Sequence, residues 1–326
     1  MVNKVNWGIL GPGKMARVFS KELQAVNGAR LLAVGSTSEE RARGFSQEFA
    51  VPRTYGNYQA FLNDKEIDIV YISTVHTKHH KCVLEALSAG KAVLCEKPLG
   101  MNYSEVRQVV EVATAKKLLL MEGLWTRFLP AYRQVKNWFA DGKIGRIKRV
   151  TADFSYFTET DPASRVYSAA LGGGALLDVG IYVLGLAVDF LGSAPRCVHS
   201  CGSIGDTGVD ETVGITLEYG NGVLANLYCS VKTKIPQDAY IYGSEGYIYL
   251  PDFWRAGSAY IYKEGKVVES FENAKEGTGY RYEAEAVMSC LQSGMTACPT
   301  MPLEDSLLIT KIRDEIMHQL DAANGN

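Results

Sequence analysis

Three residues of this chain have side chains and settings suited to moving protons. Lys97 stands in Cys95-Glu96-Lys97-Pro98-Leu99-Gly100, directly after a short apolar run, Ala92–Cys95, that reads as a strand. Asp178 and Tyr182 stand in Gly172-Gly-Gly-Ala-Leu-Leu-Asp178-Val-Gly-Ile-Tyr182. Four residues apart, they share one face if the segment is helical. Leu176, Leu177, Val179, Ile181, Val183 and Leu184 around them are apolar, so one reading is a buried helix with a carboxylate and a phenol turned to a polar pocket. The competing reading is a core helix with a satisfied tyrosine and a capping aspartate, and spacing alone weighs the two equally. Gly180 between them lowers helix propensity, which close approach of a ligand or backbone would explain. A lysine at a strand end is by itself an ordinary surface residue.

A second set of residues suits an anion. Gly11-Pro-Gly13-Lys14-Met15-Ala16 fits G-x-G-x-x-A, between a strand and a helix. Gly11 permits a tight turn, Gly13 lets backbone approach a pyrophosphate, and Ala16 lets helix and strand pack closely. The helix N-terminus adds free N–H groups and a positive dipole end. In this context the motif predicts dinucleotide binding. NAD sites place a carboxylate at the end of the second strand for the ribose 2′-hydroxyl. Here that stretch is Gly35-Ser36-Thr37-Ser38, with Arg41 one turn into the next helix. Hydroxyls and a guanidinium suit a 2′-phosphate, so NADP is expected, with NAD as the alternative if Glu39 reaches the ribose and Arg41 is merely solvated.

These residues need elements to hold them. The first part of the chain alternates strand and helix signals: strands at Asn6–Leu10, Arg30–Ser36, Ile67–Ser73, Ala92–Cys95 and Leu118–Met121, with helices from the glycine loop to Ala25 and at Glu39–Ala50, His80–Ala89 and Ser104–Lys116. That alternation predicts an α/β fold with a parallel, doubly wound Rossmann sheet. In such sheets ligands sit beyond the carboxyl ends of the strands, where Lys97 falls. From about Gly145 the texture becomes antiparallel: Ile147–Phe157, Glu211–Tyr219, Gly222–Ser230, Ala239–Gly243, Tyr247–Leu250, Ala259–Lys263 and Lys266–Phe271 read as strands, with an Asn-Gly hairpin signal at Asn221-Gly222. One helix, Ala175–Leu191, interrupts them, and Leu303–Ala323 is an amphipathic tail helix. The expected division is a dinucleotide-binding domain over 1–123 and an α+β substrate and dimerisation domain over 124–326, with helix 302–323 packing back on the first domain.

With 326 residues the chain has room for two domains of ~100–200 residues each. Hydrophobic residues make up 47% and charged residues 21%, and net charge is −2. This is an ordinary globular balance, with no long-range attraction to nucleic acid or to an anionic membrane. No apolar stretch was expected to approach the ~20 residues of a membrane span, and the N-terminus does not read as a signal peptide. The seven cysteines lack a C-x-x-C pair, which points to reduced thiols and a cytoplasmic location. His76 and His79, with Lys78 and His80, could suggest a metal site, but they lack the carboxylate that would complete a zinc set, so no metal is expected. His76 is assigned to cofactor or substrate contact and His80 to structure.

Taken together, G-x-G-x-x-A, Glu96-Lys97-Pro98 and the Gly172–Tyr182 segment resemble the glucose–fructose oxidoreductase/inositol dehydrogenase/MocA family. CEKPLG (Cys95–Gly100), MEGLWTRF (Met121–Phe128), GGGALLDVGIY (Gly172–Tyr182) and GVDETV (Gly208–Val213) look most like its dimeric dihydrodiol dehydrogenase branch. The resemblance runs over nearly the whole chain. It implies a Rossmann domain followed by a domain with a large open, mostly antiparallel sheet, and NAD(P)-dependent hydride transfer at a secondary alcohol or carbonyl of a sugar, cyclic diol or dicarbonyl compound. It places Lys97 and Asp178 on active-site positions, and Tyr182 where many members carry histidine. Thr74, Val75, His76 and His79 match a nicotinamide-side loop, and Trp125 and Arg127 match residues lining the cofactor and substrate cleft. The branch usually has arginine where Thr37 stands.

A free tyrosine, with a pKa of about 10, is a poor base at neutral pH, and a neighbouring ammonium favours its phenolate. Tyr182 is therefore assigned as acid/base, Lys97 as its electrostatic partner and a substrate donor, and Asp178 as the group orienting the substrate hydroxyl or Lys97. Phe154, Phe157 and Arg165 are expected to shape substrate access. Self-association through the open sheet face is expected, because that face needs a cover. Two rival readings are a nucleotide-retaining redox-assisted hydrolase or epimerase, and a dinucleotide-binding regulator without catalysis.

Overall fold

The computed structural model describes residues 4–273, 277–323 and 325. The chain divides into two compact units, residues 1–125 with 276–306, and residues 126–275 with 307–326.

The first unit is built on β1 (Val5–Leu10), β2 (Ala29–Gly35), β3 (Arg53–Tyr55), β4 (Ile69–Ile72), β5 (Ala92–Glu96) and β6 (Leu120–Gly123), in the order β3-β2-β1-β4-β5-β6. Every pairing is parallel. All residues of β4, β5 and β6 are buried, which is why they read as unbroken apolar runs rather than alternating ones. The crossovers are α1 (Lys14–Leu23), α2 (Glu39–Phe49), the short α3 (Tyr58–Leu62), α4 (His76–Ser88) and α5 (Tyr103–Lys116). The strand order reverses between β1 and β4, and the chain leaves those two strands at Gly11 and Ser73. This is the switch point at which doubly wound sheets bind ligands.

The second unit starts with α6 (Pro130–Ala140) and β7 (Ile147–Ser155), followed by α7 (Ile181–Leu191). Then come β8 (Cys197–Ile204), β9 (Asp210–Glu218), β10 (Leu224–Ser230), β11 (Ala239–Gly243), β12 (Tyr247–Leu250), β13 (Ser258–Lys263) and β14 (Lys266–Glu272). They form an eight-stranded sheet in the order β14-β13-β12-β11-β7-β10-β9-β8. The β7–β10 pair is parallel and the other pairs are antiparallel. Alternation sorts the faces: Val150, Ala152, Ile215, Leu217, Ala225, Leu227, Ile241 and Ile248 are buried, while Tyr240, Tyr242, Tyr247, Tyr249, Tyr260 and Tyr262 are half-buried on the other face.

Helix α7 is buried on almost every side. The segment Ala169–Leu191 is long and apolar enough to cross a membrane by length and composition, contrary to the sequence expectation, but 83% of its apolar window is buried inside the protein. It reads as the core helix of this unit, since burying each Leu, Val or Phe side chain is worth roughly 1.5–3 kcal/mol.

Two helices close the chain, α8 (Tyr280–Gln292) and α9 (Leu303–Ala323). The sequence reading sent the tail helix 302–323 back to the first domain. In the structure the returning segment is 276–306, which carries α8, and the division falls within α9. The physical reason is α8's apolar face: Tyr280, Ala284, Val287 and Met288 are buried, and the helix packs against α1.

Candidate functional site

In the first unit the glycine loop is shaped for close approach. Gly11 has φ +92°, and a Cβ there would lie 2.8 Å from the Thr74 side chain, so no other residue fits without displacing the β4–α4 loop. The Ser73 hydroxyl donates to the Gly11 carbonyl at 3.0 Å, tying the two loops together. Gly13 is the N-cap of α1 and supplies no side-chain acceptor, which leaves first-turn amides from Lys14, Met15 and Ala16 for an incoming anion. Gly13 and Lys14 are exposed, whereas Ala16 is fully buried against the sheet.

At the end of β2 the hydroxyls and the guanidinium form one cluster. Ser38 caps α2 by accepting from the Arg41 amide, and Ser36 accepts from the Ser38 amide at 3.2 Å. The Arg41 guanidinium folds back to donate to Thr37 Oγ1 at 2.9 Å. Glu39 is engaged elsewhere, by Arg43 at 3.2 Å.

Lys97 follows β5 and is the one residue of Ala92–Gly100 that is not buried. Its neighbours hold it from below. The Glu96 carboxylate is buried and accepts a hydrogen bond from the Tyr71 hydroxyl. Glu122 accepts from the Leu99 amide at 2.8 Å. The Lys97–Pro98 peptide is cis. His79 is completely buried, with Nδ1 2.7 Å from the Pro98 carbonyl and Nε2 3.1 Å from the Thr74 carbonyl. Burial pushes the His79 pKa below its usual value, the two carbonyls oppose that, and Lys97 adds to the lowering.

Several of the residues expected to contact ligand are also engaged within the protein. His79 was expected to touch the cofactor. Its ring nitrogens lie within hydrogen-bonding distance of two backbone carbonyls, one of which accepts the N–H of the neutral imidazole, so it bridges the β4–α4 loop and the Lys97–Pro98 turn. Glu96 was grouped with the cofactor contacts, yet its carboxylate is turned into the core. Trp125 was expected to line a cleft. It is 3% exposed and stacks on Tyr280 of α8 at 4.7 Å, which makes it core of the first unit. Arg127 is 2% exposed and donates to the Gly185 carbonyl of α7 at 2.8 Å, a packing contact within the second unit. His76 opens α4, 6% exposed, with its ring 5.7 Å from that of His79. His80 meets Gln108 at 2.7 Å on the helix surface, as its structural assignment implied.

The second unit brings Asp178, Tyr182, Phe154 and Arg165 together. Leu176–Gly180 forms a π-helical turn that runs into α7, a local widening often found at functional sites. Asp178, in that turn, accepts from the Tyr156 hydroxyl through Oδ2 and from Arg165 through Oδ1 at 2.9 Å. Burial and the Asp178 charge push the Tyr156 pKa far up, so this phenol stays a donor. Tyr182 is 7% exposed. Its ring meets Phe154 edge-on at 5.2 Å, and Phe154 stacks on Trp254 at 4.9 Å. Trp254 is fixed in turn by donating to Gln237 Oε1 at 2.7 Å. Phe157, by contrast, is 61% exposed.

Tyr156, Trp254 and Asp210 were missed by sequence reasoning. Tyr156 lies two residues beyond Phe154, just past the end of β7, within the run 147–157 that the sequence reads as one strand, and alternation along that run could have found it. Trp254 sits in a short turn after β12 and gives no periodic signal. Asp210 lies in the quoted GVDETV motif. It accepts from the Leu176 amide at 2.6 Å and packs against Gly174, whose φ is +114°. Burial raises the Asp210 pKa to about 6, against the pull of those amides.

Comparison with known proteins fixes the family. Residues 5–124 match the model described as "Oxidoreductase family, NAD-binding Rossmann fold", and residues 132–249 match "GFO/IDH/MocA C-terminal domain". The chain belongs to the GFO/IDH/MocA oxidoreductase family. A trans-1,2-dihydrobenzene-1,2-diol dehydrogenase from Xenopus laevis is 37% identical, covering 96% of this chain and 97% of that one. The Homo sapiens enzyme of that name is 34% identical, covering 96% of each. Among solved structures, a 3-ketoreductase from Actinomadura kijaniata in complex with TDP-benzene and NADP superposes with a TM-score of 0.84 at 25% identity, covering 97% of this chain and 98% of that one. An aldose-aldose oxidoreductase from Caulobacter crescentus gives 0.88 at 24% identity, covering 99% of each, and shows the fold alone. The chain is thus an NAD(P)-binding oxidoreductase, and its family relatives act on diols, sugars and keto-sugars.

Proposed function

We propose that this protein is an NADP-dependent dehydrogenase or reductase that moves a hydride between the nicotinamide and a secondary alcohol or carbonyl of a cyclic diol, sugar or dicarbonyl compound. The observation that carries the reading is the pair Asp178 and Tyr182, two buried polar groups set among aromatic rings on a locally widened helix. Asp178 is oriented by Tyr156 and Arg165.

The dinucleotide fits the residues present. The Gly11 turn, too tight for a Cβ, and the uncapped start of α1 suit a pyrophosphate. Thr37 and Arg41, with Glu39 drawn off to Arg43, favour a 2′-phosphate and hence NADP. When bound, the nicotinamide supplies the two-electron acceptor or donor. Tyr182 takes the hydroxyl proton during oxidation and returns it during reduction. Lys97 is assigned as a donor to the substrate oxygen. Asp178, held at both oxygens, fixes the position of the substrate hydroxyl. The aromatic rings of Phe154 and Trp254 beside Tyr182 favour a cyclic substrate.

The test is a screen of NADPH and NADH absorbance changes across diols, sugars and dicarbonyls, repeated with Tyr182→Phe. Turnover should fall by ~10²–10⁴-fold in the variant, with NADP affinity within about twofold of the parent. Unchanged turnover removes Tyr182 from proton transfer. Absence of nucleotide oxidation or reduction with every class defeats the reading.

Two further assignments belong to it. The tyrosine-bearing face of the second sheet is assigned to a second copy of the chain. Sedimentation velocity should then give a dimer mass at micromolar concentration, and a monomer there defeats this assignment. The seven cysteines, all free, support a reducing, cytoplasmic setting.

A further inference from the structure

We propose that Cys197, His199 and Glu218 form a binding site for a zinc-class divalent cation at the β8 edge of the second sheet. The site includes none of the residues assigned to hydride transfer, and it lies on the same face of the sheet as the half-buried tyrosines.

The strand geometry assembles the site. Residues 197 and 199 alternate onto the same side of β8, with Val198 buried on the other side and the Ser200 hydroxyl bonded to Gln319 of α9 at 2.8 Å. In the antiparallel register Cys197 lies directly opposite Glu218 of β9, and His199 opposite Thr216. A thiol, an imidazole and a carboxylate thereby face solvent together, with one ligand atom from each lying within 4.8 Å of the other two. His199 Nε2 is 3.7 Å from Glu218 Oε1. Zinc bonds to sulfur, nitrogen and oxygen are ~2.0–2.3 Å long, so small side-chain rotations bring all three donors onto one ion. Among the described residues His199 is the one ion-pair partner of Glu218, so no lysine or arginine competes for the carboxylate. Paired strands hold the donors more rigidly than a loop would.

Donor chemistry selects the ion. Thiolate and imidazole favour zinc and its transition-metal neighbours over magnesium or calcium, which require oxygen ligands. Binding requires loss of the Cys197 thiol proton to solvent. Three protein donors leave a fourth position for water, as in open rather than closed zinc sites. The expectation of no metal was drawn from the His76–His80 run and the absence of C-x-x-C. The present set depends on cross-strand register, which spacing along one strand does not display.

Cobalt(II) is a spectroscopic stand-in for zinc, and the experiment is its titration into the full-length, chelator-treated protein. Saturation at one cobalt per chain is expected, with a near-ultraviolet thiolate-to-cobalt band that Zn²⁺ erases and Mg²⁺ leaves intact. Cys197→Ser should abolish the band. His199→Ala and Glu218→Gln should weaken cobalt binding by ~10-fold or more. Cys201→Ser, at the other surface-accessible thiol, should retain the band. Circular dichroism confirms that each variant is folded. No band in the parent, a band that survives Cys197→Ser, or one lost in Cys201→Ser overturns the site.

Discussion

Glu283 of α8 is completely buried, and among the described residues neither carboxylate oxygen has a hydrogen-bond partner. Burial, reinforced by the charge of Glu96, pushes its pKa well above the ordinary carboxylate range. The native state therefore keeps a proton that the unfolded chain releases above about pH 4.3. Because the folded state binds more protons, stability falls as pH rises from there toward the raised folded pKa. Glu283→Gln keeps the shape and removes that dependence. The variant should melt above the parent at pH 7–8, with the gap closing toward pH 4–5. Thermal melts across that range check it, and an equal or lower melting temperature at pH 8 refutes it. Residues like this were not legible in the sequence, because a glutamate in an amphipathic run reads as surface. Gly11, Gly13, Lys97, Asp178 and Tyr182 were singled out by sequence because each sits in a pattern whose spacing has a mechanism. For His79, Trp125 and Arg127 the sequence pattern did not show the buried contacts that the structure gives them. What separates a ligand contact from a strut is which side of the backbone the side chain takes.

At the scale of elements, the segment carrying Asp178 and Tyr182 depends on a clamp outside it. Asp210, at the start of β9, accepts from the Leu176 amide and occupies the space that a Gly174 side chain would need. Asp210→Ala would leave a buried amide without its acceptor, a loss of about 1–3 kcal/mol. It should lower thermal stability and, by loosening the π-helical turn, reduce turnover more than cofactor affinity. Asp210→Asn retains an acceptor and should recover much of both. A fall in stability with turnover intact would confine Asp210 to a structural role. Strands with a strong apolar signal, continuous in the first sheet and alternating in the second, were readable to within a residue or two. β8 was not, because CVHSCGSI carries one buried apolar residue and small polar ones on both faces. The π-helical turn was invisible as well: it is set by Asp210, which lies 30 residues downstream of Gly180. Helix α6 was missed although Pro130 at its first turn is a recognised start signal.

The whole molecule is less modular than its two sheets suggest, because the first unit is completed by residues from near the end of the chain. The joint is specific. Glu22 of α1, 9% exposed, accepts from the Thr278 amide at 2.9 Å and the Gly279 amide at 3.4 Å, and Arg281 lies 3.9 Å away. Trp125 stacking on Tyr280 closes the same seam. No local pattern announces such a partnership, since the residues are some 256 positions apart and each side looks ordinary alone. The first sheet is therefore expected to gain its full stability only once the chain has been made through α8, a non-local closure that slows folding. Glu22→Ala should remove the acceptor for two amides at the start of α8 and cost about 1–3 kcal/mol. Glu22→Gln, which keeps one acceptor, should cost less. Hydrogen exchange separates a local from a global effect: amides of α8 should lose protection in Glu22→Ala by about 10-fold or more, while those of β9 and β10 in the second unit stay near the parent. Equal loss across both units would mean that the seam holds the entire molecule rather than one sheet and its returning helix.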